Sequence, residues 1–297
     1  MNPQIHQQPL SHFITVADGL KIHAREYGAT AREKLPVVCL AGLARTSLDF
    51  DRIATALANG SAGVPRRVVA IDYRGRGLSD RDKNWQNYDM RMENADILQV
   101  LAALEASEAI FIGTSRGGLH LMMMAATRPA AIRAAVLNDI GPIIEAKGIA
   151  RIKGYVGKLP QPKSWSDAVD LAKRIMGAQF SVLSEDDWLA YAKLTFEETD
   201  NGFAPRYDTA LMRSLDAFDL EKPLPVLWPQ FAGLNHAPLL AIRGENSDLL
   251  SQETLEEMGK QHPACDTYVV PGQGHAPLLL DDASIARVSQ FVTRVDP

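Results

Sequence analysis

Ala109-Ile110-Phe111-Ile112-Gly113-Thr114-Ser115-Arg116-Gly117-Gly118-Leu119 decides how this chain is read. An apolar run ends in Gly-x-Ser-x-Gly and a helical pattern follows at once, the sequence form of a nucleophile elbow. There a strand must turn sharply into a helix, with one serine held at the tip in a strained backbone conformation. Gly113 and Gly117 fall where a Cβ would collide with the neighbouring chain, and Gly118 lets the helix lie close to the sheet. The Ser115 hydroxyl then points into open space. The Arg116 amide sits at a helix N-terminus, where negative charge is favoured. Taken alone, the same pattern is also that of a Ser/Gly turn, so the rest of the chain has to decide.

Outward from this stretch, strand and helix signals alternate. Residues 13–16 and 20–27 straddle Asp18-Gly19 and read as a hairpin. Residues 35–40 read as a buried strand, 47–57 as a helix and 67–71 as a strand, followed by the glycine-punctuated loop 72–79. Ile97, Val100, Leu101 and Leu104 recur at helical period. Beyond the elbow helix, which Arg128-Pro129 stops, residues 134–138 form a strand with Asp139 at its end. The alternation resumes with a strand at 237–242, a helix at 253–260, a strand at 267–270 and a helix at 283–295. These eight strands and their helices predict an α/β fold, a mostly parallel sheet covered by helices on both faces.

Between the two runs, residues 142–231 carry helix signals and few strand signals. Ser164 with Asp167, and Ser184 with Asp187, read as capping boxes. Asp200-Asn201-Gly202 is a tight turn, and Pro223, Pro225 and Pro229 mark a stiff return path. The expected organisation is one core domain, residues 1–141 and 232–297, interrupted after the sixth strand by a helical lid far longer than an ordinary connection.

Composition bounds the function. The 297 residues are 46% hydrophobic and carry a formal net charge of -5, which argues against an electrostatic nucleic-acid or membrane binder. Two cysteines, Cys39 and Cys265, make no disulfide framework, and Cys39 lies in a strand-like apolar run. That usage fits a reducing, cytoplasmic setting. Residues 1–8 are polar, with neither a charged n-region nor an apolar h-region, so no signal peptide is expected. No apolar run is long enough to span a bilayer.

A serine nucleophile needs a base, an acid to orient that base, and donors for an oxyanion. Open α/β sheets place such groups at the carboxyl ends of strands. His275 meets this for the base, in the glycine-rich loop Pro271-Gly272-Gln273-Gly274 after the last strand. A loop histidine on its own reads as a surface residue, and its place after the final strand reverses that reading. For the acid, Asp248 lies in the loop after the resumed strand, with Asp139 as its rival and Glu245 as a weaker one. Asp248 is preferred because its polar loop gives slack to reach His275, whereas Asp139 could cap the turn into residues 140–142. The oxyanion donors are the backbone amides of Arg116 and of Leu43, in the loop after the third strand.

With these residues in place the chain resembles the α/β-hydrolase superfamily, in the branch with a helical lid. The resemblance rests on Leu40-Ala41-Gly42, residues 72–79, Gly113 to Gly117, residues 243–248 and Gly274-His275, and covers nearly the whole chain. Relatives often carry His-Gly where this chain has Ala41-Gly42, which leaves the backbone donor intact. The loop 72–79 has a mainly structural role in the family, so Asp72 is not assigned to catalysis. Dehalogenases and epoxide hydrolases of this fold place an aspartate at the elbow, so Ser115 speaks against both.

The resemblance implies a serine hydrolase acting on a small-molecule carboxylic ester or lactone through an acyl-enzyme, with no metal or cofactor. Two alternatives remain: a carbon–carbon hydrolase of ring-cleavage products using the same residues, and a ligand receptor with little turnover. Trp165, Phe180, Trp188 and Trp228 of the lid are expected to line the substrate pocket. Arg45 or Arg116 is expected to meet a substrate carboxylate.

Overall fold

A computed structural model describes residues 8–216, 219 and 222–297. Most of the N-terminal stretch read for targeting signals, residues 1–7, lies outside them. Among the described residues ten strands form: β1 (Leu10–Thr15), β2 (Lys21–Tyr27), β3 (Val37–Leu40), β4 (Val68–Ile71), β5 (Ala109–Thr114), β6 (Ile132–Asn138), β7 (Phe196–Thr199), β8 (Gly202–Pro205), β9 (Leu239–Gly244) and β10 (Cys265–Val270). The helices are α1 (Asp51–Ala58), α2 (Met90–Ala103), α3 (Arg116–Thr127), α4 (Ala146–Tyr155), α5 (Trp165–Met176), α6 (Glu185–Thr195), α7 (Met212–Asp216), α8 (Trp228–Ala232), α9 (Gln252–Gln261) and α10 (Asp282–Val295).

Eight strands make one sheet in the order β1-β2-β4-β3-β5-β6-β9-β10. β2 pairs antiparallel with both β1 and β4, and every other pairing is parallel. Runs such as Val37-Val38-Cys39-Leu40 are buried on both faces, as a helix-covered parallel sheet requires. Val38, Leu40, Val69, Ile71 and Phe111 pack with α2, α3 and α9 on one face. Val37, Cys39, Val68, Ala70, Ile110 and Ile112 pack with α1 and α10 on the other. At about 25 cal/mol per Å² of apolar surface, these two layers supply the main driving force for folding.

The loop 72–79 is structural. Asp72 is buried, accepts from the Ser47 amide at 2.6 Å and is bound to His23 Nδ1 at 2.7 Å. The helix expected at 47–57 divides into a 3₁₀ turn at Ser47–Phe50 and α1.

Between β6 and β9 the chain leaves the sheet and forms α4 to α8. This insertion is not wholly helical. β7 and β8 make an antiparallel hairpin in it, and Asp200-Asn201 is the hairpin's turn. Strands of four residues carrying Gly202, Pro205 and two glutamates lack the alternation that reveals a strand in sequence. The Ser184–Asp187 capping box is complete, and Ser164 caps α5. The insertion has its own small cores, one of Ala168, Leu171, Ala192, Phe196 and Phe203, the other of Ala172, Met176, Phe180, Trp188 and Tyr191. Among the described residues no helix is long and apolar enough to cross a membrane.

Candidate active site

Ser115 follows β5 directly, with φ 50° and ψ -110°, a strained conformation for a residue with a Cβ. The surrounding glycines allow it. A Cβ on Gly113 would lie 2.7 Å from the Gly117 carbonyl carbon, and one on Gly117 would lie 2.1 Å from the Leu40 oxygen. Strand and helix are pressed together until only glycine fits, and Ser115 is left projecting at the carboxyl end of the sheet.

Ser115 Oγ lies 2.9 Å from His275 Nε2. His275 arrives on the loop after β10, which folds back over the end of β9. There a Cβ on Gly244 would meet the Gln273 and Gly274 oxygens at 2.5 Å. Crossing β9 in this way carries His275 to the ends of β5 and β6, where its Nδ1 lies 2.7 Å from Asp139 Oδ2.

The carboxylate that meets His275 Nδ1 is therefore Asp139 and not Asp248. Asp139 follows β6 with φ 56° and is fully buried. Its other contacts hold it there: Oδ1 accepts from the Gly244 amide at 2.7 Å and Oδ2 from the Ser247 hydroxyl at 2.6 Å. Asp248 lies past the crossing point and forms a bidentate pair with Arg151 of α4, at 2.6 and 2.9 Å. Burial works to raise the Asp248 carboxyl, and the Arg151 guanidinium more than offsets it, so its pKa is lowered. Glu245 Oε2 accepts from the Gly272 amide at 2.7 Å and so braces the histidine loop.

The Leu43 loop lies against the serine: a Cβ on Gly42 would sit 3.9 Å from Ser115 Cβ. Among the described residues no hydrogen bond engages the Leu43 or Arg116 amide. One buried carboxylate, Glu93 of α2, holds both segments. It pairs with Arg116 Nε at 2.6 Å and with Arg76 Nη1 at 2.7 Å, and Arg76 Nε donates to the Leu43 carbonyl at 2.9 Å. Burial opposes the Glu93 charge, but Arg116 and Arg76 outweigh it and lower the pKa well below the carboxylate range.

A cavity of about 120 Å³ opens on Ser115 and His275. Ile152, Tyr155, Leu171, Ile175, Met176 and Phe180 of the insertion form much of its wall. Of the side chains expected to meet substrate, Arg45 and Phe180 line it. Trp165 packs edge-on against Phe203 at 4.8 Å, Trp188 stands behind Phe180 and Tyr191, and Trp228 packs edge-on against Phe231 at 5.6 Å. Trp165 and Trp188 complete the insertion's own packing, and Trp228 packs with Phe231 against the main core beside the sheet. The Arg116 guanidinium is taken by Glu93 and the Tyr88 carbonyl and does not line the cavity.

Residues 37–289 match the model of the alpha/beta hydrolase family. The chain belongs to the alpha/beta hydrolase family. It is a hydrolase. It is 31% identical to a 3-hydroxybutyrate-oligomer hydrolase of Cupriavidus necator, over 90% of this chain and 91% of that one. It is 26% identical to a 2-(acetamidomethylene)succinate hydrolase of Mesorhizobium japonicum, over 70% and 71% of the two chains. The crystal structure of an alpha/beta hydrolase from Novosphingobium aromaticivorans superposes with a TM-score of 0.87 at 35% identity, covering 97% of this chain and 99% of that one.

Two further residues of this hydrolase touch the site without a sequence signal of their own. Gln179, just after α5, accepts the His275 amide on its Oε1 at 3.0 Å, and its carbonyl accepts Asn246 Nδ2 at 3.2 Å. Asn138 Nδ2 donates to Thr114 Oγ1 at 3.1 Å and to the Pro277 carbonyl at 2.9 Å, tying the histidine loop to β5 and β6. Single glutamines and asparagines have no periodicity or motif to mark them. Only their position at strand and helix ends hints at a role.

Proposed function

We propose that this enzyme hydrolyses a small-molecule carboxylic ester or lactone through an acyl-enzyme. The observation that carries the reading is the unbroken chain from Ser115 Oγ to His275 to Asp139, at 2.9 and 2.7 Å, on the floor of a largely apolar cavity. His275 takes the Ser115 proton as Oγ attacks the carbonyl carbon, and Asp139 orients the imidazole and stabilises its cation. The Leu43 and Arg116 amides receive the oxyanion, with the positive end of the α3 dipole behind Arg116. His275 gives its proton to the leaving alkoxide, then draws a proton from the water that attacks the acyl-enzyme. That second step returns the acid product and free Ser115. The insertion acts as a lid whose inner wall receives the acyl chain. The identity with the 3-hydroxybutyrate-oligomer hydrolase supports an ester as the bond cleaved.

A serine-reactive fluorophosphonate tests this. Mass spectrometry should place one adduct on the peptide carrying Ser115, and Ser115→Ala should abolish both labelling and ester turnover while the thermal transition stays in place. A label on Ser79 or Ser247 would overturn the reading. Faster turnover of a vinylogous ring-cleavage diketone than of any ester would assign the same residues to carbon–carbon hydrolysis.

A further inference from the structure

Much of the cavity wall is apolar, and beyond the polar groups around Ser115 and His275 a second polar group is built on Arg45. Arg45 lines the cavity and is bound there by Asp49, Nε to Oδ2 at 2.7 Å and Nη2 to Oδ1 at 2.9 Å. Its Nη1 donates to Thr195 Oγ1 at 2.9 Å, and its guanidinium lies over the Tyr191 ring at 4.9 Å. Asp49, Tyr155, Tyr191 and Thr195 line the same cavity. This polar group stands close to the nucleophile: a Cβ on Gly42 would be 3.3 Å from Arg45 Cγ and 3.9 Å from Ser115 Cβ.

First, the bidentate contact cancels the Arg45 charge, so an incoming carboxylate would meet Asp49 as well as Arg45 and gain little. Burial opposes the Arg45 cation and Asp49 more than restores it, whereas at Asp49 burial outweighs the pull of Arg45 and raises the carboxyl. Second, one N–H on each η nitrogen remains beyond the bonds to Asp49 and Thr195. A plain alkyl chain filling the cavity would strip water from these donors and return nothing. A site of this kind discriminates strongly against a ligand that lacks the matching polar group.

We infer that the acyl group of the substrate carries a neutral hydrogen-bonding oxygen, a hydroxyl or a second ester carbonyl, that docks on the Arg45–Asp49 pair beside Ser115. The inference rests on the ester-hydrolase reading of the same site. It excludes a carboxylate at this position.

The test compares three p-nitrophenyl esters of one chain length: butanoate, 3-hydroxybutanoate and the succinate half-ester. Wild-type kcat/KM should favour the hydroxy ester over the plain one by about ten- to a hundredfold, the range of one hydrogen bond to a charged group. The succinate half-ester should be the poorest. Arg45→Met should bring the hydroxy-to-plain ratio down towards one. Asp49→Asn, which leaves the Arg45 charge uncompensated, should raise the succinate ester relative to the plain one. Ester turnover with equal hydroxy and plain rates in the wild type would overturn this inference and leave the hydrolase reading standing, as would a preference for the succinate ester. No Ser115-dependent turnover of any of the three would overturn both.

Discussion

Asp139 carries three contacts on two oxygens, and each partner belongs to a different part of the site: the β9 end, the Ser247 turn and His275. An amide in its place would still fill the space, but its NH₂ would face a donor and the imidazole tautomer would be wrong. In a related serine-protease arrangement that exchange costs about 10⁴ in turnover. Asp139→Asn should lose several orders of magnitude in kcat, measured with any ester the wild type turns over. Asp248→Asn should retain most activity and act on stability instead. The folded-state pKa of Asp248 is lowered from 3.8, so its contribution is fully present above that value and is lost as the pH falls through the folded pKa. The gap in urea midpoint between wild type and Asp248→Asn should be constant near neutral pH and close as the medium is acidified below 3.8. The sequence made Ser115 and His275 legible because a strained turn and a glycine-rich loop leave local marks. The choice of acid was not legible. Slack counted along the chain favoured Asp248, but reach is set across the sheet, and nothing local tells that residues 272–275 lie flat over Gly244. The same holds for Trp165, whose ring is committed to Phe203, distant in sequence.

Among the elements, α2 braces the segments beside Ser115 without touching the cavity. Its Glu93 holds Arg116 on one side and, through Arg76, the Leu43 carbonyl on the other. Both proposed oxyanion donors thus hang from one buried carboxylate. Removing it would leave Arg76, which is fully buried, without its counter-charge. Glu93→Ala should cost about 3–5 kcal/mol in urea unfolding. In the fraction that folds, kcat should fall more than KM rises, since loosened donors act chiefly on the transition state. The loop after α5 has a similar influence on the histidine. Gln179→Ala removes the acceptor of the His275 amide and should lower kcat and shift its pH profile, whereas Gln179→Glu, which keeps an acceptor, should recover most of the rate. An unchanged pH profile for Gln179→Ala would show that the contact is only structural.

Across the whole molecule, sheet and insertion divide the work. The sheet supplies Ser115, Asp139 and His275 from its carboxyl edge, and the insertion supplies most of the apolar wall. Ile175 of α5 lines the cavity, so Ile175→Ala should shift the preferred acyl chain to a longer one, read from kcat/KM over a homologous ester series. Alternation of strand and helix revealed the sheet in the sequence, and its loss at residue 142 revealed the insertion. The hairpin β7–β8 stayed hidden because its pairing partner, not its composition, makes it a strand. One feature of the sheet reaches further. Thr114 and Asn138 are register partners, and Ser115 N donates to the Asn138 carbonyl at 2.9 Å. The strand ends that carry Ser115 and Asp139 are therefore set side by side by backbone pairing, and β9 then fixes the Asp139 carboxylate through the Gly244 amide. The proton carrier comes on a separate stretch, more than a hundred residues on. Such an enzyme should be divisible: cut at the exposed Asp200–Asn201 turn, the two pieces should be inert apart, and co-expression should restore ester turnover as they reassemble.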